Sequence, residues 1–318
     1  VVDIGGTNTR VGVSSGPGDI SDVKVYRTGE RHAFDDVLSS YIAELGAGPP
    51  AGWCTDAYVA AAGAVDNGNV TLTNAPWRIS AQEVSRALGN CPVHFFNDLE
   101  AVGMLLPHLT PDDITPIGEP AATDLVGNRI AVNVGTGFGA ATAVRTGQGG
   151  WTVAASEAGH MSFGLPRFDP DISLSWHDTI EDVLSGRGVV RLYQTMAETA
   201  GVAMPDATEM DASRTAEAVF ARSRIDPVAA DTVRVLSRLI GEVAGNLVLA
   251  TSAWDGAFLC GSVARAWLKV GDIAAFRAAF QRKGSMGERM SHVPTYSIAT
   301  NEPALLGLTY GDLKAVDL

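Results

Sequence analysis

The chain opens on a short apolar run, Val1–Ile4, which Gly5-Gly6 interrupts before alternation of apolar and polar residues resumes over Thr9–Ser14. Alternation on both sides of a Gly-Gly break predicts two strands joined by a tight turn. A third strand is predicted at Asp22–Tyr26. Apolar residues at helical spacing predict a helix over Phe34–Leu45. The pattern then gives a buried strand at Ala57–Ala61 and a short helix over Ser80–Leu88. Ser80 with Glu83 three residues on has the form of a capping box. A strand at Val93–Phe96 leads directly into a helix over Leu99–Leu106.

A second cycle begins at Arg129. A strand is predicted at Arg129–Val134, a turn at Gly135-Thr136-Gly137 and a strand at Ala140–Val144. Helices follow at Ile180–Thr199 and Val228–Ser252, then a strand at Ala257–Cys260 ending in Gly261, and a last helix over Pro303–Leu313. The polar, alanine-rich stretch Val202–Ile225 reads as an irregular surface excursion. The order strand, glycine turn, strand, then alternating helices and strands thus occurs twice, from Val1 and from Arg129. Sequence similarity between the copies is slight, so the expectation is a structural duplication: two α/β domains facing each other across a cleft, each offering it a glycine hairpin.

Length and composition change this picture little. At 318 residues, with 46% hydrophobic and 19% charged, the chain fits two globular domains. A net charge of -13 repels nucleic acid and anionic membranes, so neither is expected as a partner. An anionic nucleotide then needs a local exception made of backbone N–H groups, arginines or Mg²⁺. None of the lysines (Lys24, Lys269, Lys283 and Lys314) follows a glycine-rich loop, which excludes a Walker-type P-loop. Cys54, Cys91 and Cys260 are widely and irregularly spaced, which fits neither a disulfide framework nor a zinc motif; all three are expected as reduced, buried thiols. The opening VVDIGG shows no leader pattern, and no apolar run is long enough to span a bilayer. A cytoplasmic location is expected, with a few native residues ahead of Val1.

Four segments carry candidate chemistry. In Asp3-Ile4-Gly5-Gly6-Thr7-Asn8-Thr9-Arg10 the glycines allow close approach to a ligand, and their N–H groups with the Thr7 hydroxyl can cradle phosphate oxygens. Asp3, at a strand end, can hold Mg²⁺ through water; a plain β-turn with Asp3 as acceptor is the alternative. Gly135-Thr136-Gly137-Phe138-Gly139 is a second glycine loop, weak alone and more specific as one of a pair. Asn97-Asp98, between a strand and a helix, places Asp98 at the positive end of the helix dipole, ready to accept a hydroxyl proton, with Asn97 able to orient a second hydroxyl. The same pair also suits a helix N-cap. Glu157-Ala158-Gly159-His160 and Glu181 offer the mixed donors and acceptors that polyols require, although Glu181 alone reads better as a surface ion pair.

Together and in this order, these segments resemble the bacterial glucokinase family of hexokinase-like enzymes, which share the fold of actin, Hsp70 and the sugar kinases. The resemblance covers nearly the whole chain. Asp3–Arg10 is similar to the family's first phosphate motif and Gly135–Gly139 to its second. Phe96-Asn97-Asp98 resembles the segment with the catalytic aspartate, and Thr73-Asn74-Ala75-Pro76-Trp77 the segment under the sugar. Glu157-x-Gly159-His160 resembles the sugar motif, Glu181 before Val183–Gly186 the later sugar-binding glutamate, and Gly256–Val263 the adenosine motif.

The resemblance implies an actin-like (ribonuclease H-like) duplicated α/β fold with a central cleft. Residues 1–108, completed by the C-terminal helix 299–318, form the small domain, and residues 109–298 the large one. It implies ATP-dependent phosphorylation of glucose at the C6 hydroxyl. Asp98 is the general base, and Asn74, Asn97, Gly137, Glu157, His160 and Glu181 contact the sugar. Gly5, Gly6, Thr7, Asn8, Arg10, Gly135, Thr136, Gly137 and Gly261 face the nucleotide, and Asp3 supports Mg²⁺ through water. A homodimer is expected. Two features depart from relatives: Ser262 follows Gly261 where a second glycine is common, and the cysteine-rich zinc motif of ROK proteins is absent. A kinase for another hexose or an amino sugar is the alternative enzyme. A non-catalytic sugar sensor is the alternative of another class, but it would need a basic helix-turn-helix segment, which this sequence lacks.

Overall fold

The computed structural model describes residues 1–46, 52–66, 68–72, 77–119, 125–147, 149–162, 178–202 and 216–311. These form two compact units. The first comprises Val1–Leu109, Arg145–Ala155 and the segment from Thr300, and the second Thr110–Val144 and Ser156–Ala299.

In the first unit, β1 (Val2–Ile4) pairs antiparallel with β2 (Asn8–Gly16), which pairs antiparallel with β3 (Asp19–Arg27). On its other side β1 runs parallel to β4 (Ala57–Ala61), as does a fifth strand, Val93–Asn97, beyond β4. Val2, Ile4, Val59 and Ala61 bury against Phe34, Val37, Leu38 and Tyr41 of α1 (Phe34–Glu44), the apolar stripe read from the sequence. In the chain between β4 and the strand Val93–Asn97 lies a small antiparallel sheet absent from the sequence reading: β5 (Gly63–Asp66), β6 (Asn69–Leu72) and β7 (Arg78–Ser80). Ser80 precedes α2 (Ala81–Ala87) as expected, but its hydroxyl makes no capping bond. Ser80 is the last residue of β7, and the Ala81 N–H bonds to the Gly68 carbonyl at 2.9 Å instead. β8 (Val93–Asn97) passes straight into α3 (Asp98–Leu105).

The second unit repeats that topology. β9 (Ile114–Pro116) is followed by β10 (Arg129–Val134), antiparallel to β11 (Phe138–Arg145). A turn with Thr146 N–H on the Gly150 carbonyl leads to β12 (Trp151–Ser156), whose residues up to Ala155 count with the first unit. β10 runs parallel to β13 (Ala257–Cys260), β13 parallel to β14 (Thr295–Ile298), and β9 closes antiparallel on β14.

The helix expected over Ile180–Thr199 is two helices, α4 (Ile180–Val183) and α5 (Gly186–Thr199). Leu184 leaves helical geometry, and the Ser185 hydroxyl starts the chain again by accepting from Gly188 N–H at 3.2 Å. The stretch Val202–Ile225 is also not wholly irregular. Residues 203–215 lie outside the described set, but α6 (Ala216–Arg222) buries Ala216, Val219 and Phe220. The long helix α7 (Pro227–Thr251) starts where Asp226 accepts from Val228 and Ala229 N–H, with Pro227 in the first turn. After α8 (Ser262–Trp267), helix α9 (Ile273–Gln281) packs on α7 so closely that a Cβ on Gly241 or Gly245 would meet the Phe276 or Phe280 carbonyl. α10 (Gly287–His292) follows. α11 (Pro303–Leu308), shorter than the helix expected to Leu313, belongs to the first unit and packs on α3.

The cysteines need a correction too. Cys91 and Cys260 are buried, but Cys54 is only half-buried, and its sulfur lies 2.8 Å from that of Cys91. Among the described residues, no helix is long and apolar enough to cross a membrane.

Candidate active site

In the first unit, the turn between β1 and β2 is closed by Gly5 N–H on the Asn8 carbonyl at 3.0 Å. Thr28 braces it from outside: its N–H donates to the Thr7 carbonyl and its hydroxyl to the Gly5 carbonyl, at 3.0 and 2.9 Å. Thr28 is 1% exposed and was missed in the sequence because it lies a whole strand beyond the motif it supports. With its backbone held in this way, Thr7 stands exposed at the tip.

Asp3 faces Arg10 across the β1–β2 ladder and accepts from its Nη1 at 3.1 Å. Burial pushes the Asp3 carboxyl up to about 6; Arg10 opposes the shift, while Asp98 and Glu302 add to it. Arg10 Nε is buried with no partner among the described residues, donor capacity that an anion would take up. A carboxyl raised from 3.8 to about 6 keeps its proton in the folded state after the unfolded chain has lost it. Stability therefore falls as pH rises through that window. The expected outcome for Asp3→Asn is a thermal midpoint that gains on the parent as pH rises from about 4 to about 7. A difference that stays flat across that range would show that Asp3 is ionised throughout.

At the end of β8 the structure divides two roles that the sequence left together. Asn97 is the N-cap: its Oδ1 accepts from Leu99 and Glu100 N–H at 2.9 and 3.4 Å, and Glu100 returns a bond to Asn97 N–H. Asp98 is the first helical residue, half-buried, with Oδ1 on Leu99 N–H at 2.9 Å. Helix initiation therefore rests on Asn97, and only its Nδ2 end is left to meet a ligand. Asn74 lies outside the described residues.

In the second unit, the Gly135–Gly137 turn is closed by Gly135 N–H on the Gly137 carbonyl at 2.9 Å. The Gly135 carbonyl accepts from Gly186 N–H, the first residue of α5, at 2.9 Å. Glu181 Oε2 takes Phe138 N–H at 2.9 Å, and Oε1 pairs with Arg187 Nη2 at 2.7 Å. The N–H groups of Thr136 and Gly137 have no partner among the described residues and lie near the N-terminus of α5, an arrangement suited to phosphate oxygens. A Cβ on Gly137 would press on Glu181 Oε2, so the carboxylate end would have to shift.

Gly159 is more tightly constrained. A Cβ there would strike the Phe138 carbonyl, so the Glu157–His160 turn packs directly on the glycine hairpin. Its flanking side chains are outward: Glu157 is 83% and His160 71% exposed, 4.0 Å apart. Gly261, at φ 97, occupies the left-handed region, with the Val134 carbonyl and Asn133 Oδ1 filling the space of a Cβ. Asn133 thus lies between the Gly135 turn and Gly261. Neither Asn133 nor Arg187 stood out in the sequence, since each acts on a motif that the fold brings to it. Among the described residues, no three His, Cys, Asp or Glu side chains gather to hold a metal.

The glucokinase family model matches residues 1–312. The chain belongs to the glucokinase family. A glucokinase of Paramagnetospirillum magneticum is 30% identical over 326 residues, covering 97% of this chain and 95% of that protein. Among solved structures, a glucokinase from an Antarctic psychrotroph is 26% identical with a TM-score of 0.79, covering 98% of this chain and 97% of that one. A ROK family glucokinase from Streptomyces griseus, in complex with glucose and AMPPNP, shares the fold at 22% identity, with a TM-score of 0.64 over 97% of this chain and 96% of its own. The fold is the actin-like α/β fold of the sugar kinases, and a member of the glucokinase family is a sugar-phosphorylating enzyme.

Proposed function

We propose that this glucokinase-family chain transfers the terminal phosphoryl group of ATP to the C6 hydroxyl of glucose. The supporting observation is the interlocked packing of the second unit. Gly159 brings the Glu157–His160 turn against the same hairpin that presents the Thr136 and Gly137 N–H groups. Polyol-binding and phosphate-binding groups are therefore built as one piece. Asp98 takes the C6 proton as the hydroxyl attacks. Asn97 Nδ2, Glu157 and His160 hold further hydroxyls, and Glu181, already engaged by Phe138 N–H and Arg187, uses its remaining lone pairs. Gly5, Gly6, Thr7, Asn8, Arg10 and the Gly135–Gly137 turn receive the phosphates, with Gly261 beside the adenosine.

Mg²⁺ supplies charge neutralisation on the phosphates. The residues present suit a cation that arrives with the nucleotide, since the described residues offer no chelating set and Asp3 is a single buried carboxyl shared with Arg10. A homodimer in the cytoplasm completes the proposal; sedimentation tests the first and fractionation the second.

The deciding experiment is a coupled ADP-release assay with glucose, mannose, fructose, galactose, glucosamine and no sugar. Release that depends on glucose above the others is expected. Release that favours another sugar, or needs none, overturns the assignment. In calorimetry, His160→Ala is expected to weaken glucose binding by about 10-fold, the loss of one hydrogen-bonding group, and to leave nucleotide affinity unchanged. Its ring is exposed and supports no core, so an equal loss of both affinities would place the sugar elsewhere.

A further inference from the structure

Two thiols far apart in the chain meet at one end of the first unit. Cys54 precedes β4 and Cys91 precedes β8, and those strands pair in parallel from Ala57↔Val93 onward. The positions ahead of the strands are also fixed. Ala57 N–H bonds to the Pro92 carbonyl at 2.8 Å, and the Ser85 hydroxyl to the Cys91 carbonyl at 2.6 Å. Cys54 Sγ points at Cys91 Sγ at 2.8 Å, with the Asp56 carbonyl at 3.5 Å as its other acceptor. A disulfide needs about 2.05 Å between sulfurs, so closing the pair takes less than about 1 Å of movement.

We infer that Cys54 and Cys91 form an oxidation site that closes into an intramolecular disulfide on exposure to a low-molecular-weight disulfide. Cys54 is the half-buried member and meets the oxidant first; Cys91 is 4% exposed. The Cys54 thiolate attacks the small disulfide, forming a mixed disulfide and expelling one small thiol. The Cys91 thiolate then attacks Cys54 Sγ and expels the second. Two electrons pass to the small disulfide, which leaves as two thiolates, and these take up the two protons of the cysteines to become two thiols. Burial, with the adjacent Cys91 thiol, pushes Cys54 up to about 12, so the reaction is slow at neutral pH and accelerates as pH rises. The bond ties the starts of β4 and β8, whereas Asp98 follows the far end of β8, roughly 13 Å along the strand. Catalysis is therefore untouched, and the gain is in stability, because the closed loop restricts the unfolded chain.

The test uses the full chain and oxidised glutathione. Peptide mapping by mass spectrometry is expected to show Cys54 joined to Cys91, with both thiol hydrogens lost. The thermal midpoint is expected to rise by about 5–10 °C and to return on reduction. Cys54→Ser and Cys91→Ser each abolish the rise, and Cys260→Ser keeps it. A persistent glutathione adduct on Cys54, a cross-link that includes Cys260, or a Cys54–Cys91 cross-link that leaves the midpoint unchanged overturns the inference. The mapping needs no variant, so it decides even if a serine substitution fails to fold.

Discussion

Asp98→Asn is expected to lower glucose turnover by about 10²–10⁴-fold, the usual size of a lost general base. Glucose affinity and the thermal midpoint should stay close to those of the parent. The structure makes this separation clean. Asn97 and Glu100 cap α3, so the helix start does not depend on the Asp98 carboxylate. An asparagine in its place can still present an oxygen to Leu99 N–H, the bond Asp98 makes at 2.9 Å. What it lacks is the basicity to take the sugar's proton. Thermal melting, glucose titration and the coupled assay on one preparation check the three quantities. A stable variant that binds glucose and turns over at the parent rate would remove Asp98 from the mechanism.

Gly159→Ala carries the second large effect. The added methyl collides with the Phe138 carbonyl, which is held in the β10–β11 ladder and cannot swing aside as a flexible side chain would. The Glu157–His160 turn has to lift off the hairpin. A displacement near 1 Å costs on the order of 10²-fold in rate where groups are positioned for transfer. Overpacking of this kind also costs about 1–3 kcal/mol of stability. The expectation is a fall of about 10²-fold in kcat/KM for glucose in a protein that still folds. Gly147→Ala is the control, since a Cβ there meets nothing within 4 Å. Equal activity in the two variants would mean that the turn and the hairpin move independently.

The parts of this site legible in the sequence are those whose signal is local. The two glycine turns, the strand ahead of Asn97 and the helix after Asp98 each announce themselves within a few residues, whereas β9, β12 and β14 of the second sheet are absent from the sequence reading. What stayed hidden is supplied from elsewhere in the chain. Thr28 reaches the Gly5 and Thr7 carbonyls from beyond β3, and Arg187 meets Glu181 only because Ser185 restarts the helix between them. Periodicity over Ile180–Thr199 cannot show that break, since apolar spacing is kept on both sides of it. Strands of three or four residues, as in β5–β7, are too short for alternation to stand out, and α6 is short enough to vanish in a polar, alanine-rich stretch.

The closeness of α11 to α3 bears on how the chain is made. Gly307 lies against the Ala101 carbonyl with no space for a Cβ, so the helix that begins at Asp98 is backed by a segment translated some two hundred residues later. Every strand of the first sheet leaves the ribosome early, and the second unit is then synthesised in full before the piece that backs α3 emerges. During that interval the proposed catalytic base stands on a helix without its neighbour. Docking of α11 on α3 thus comes late, after the second unit has emerged, and completes the packing around that helix.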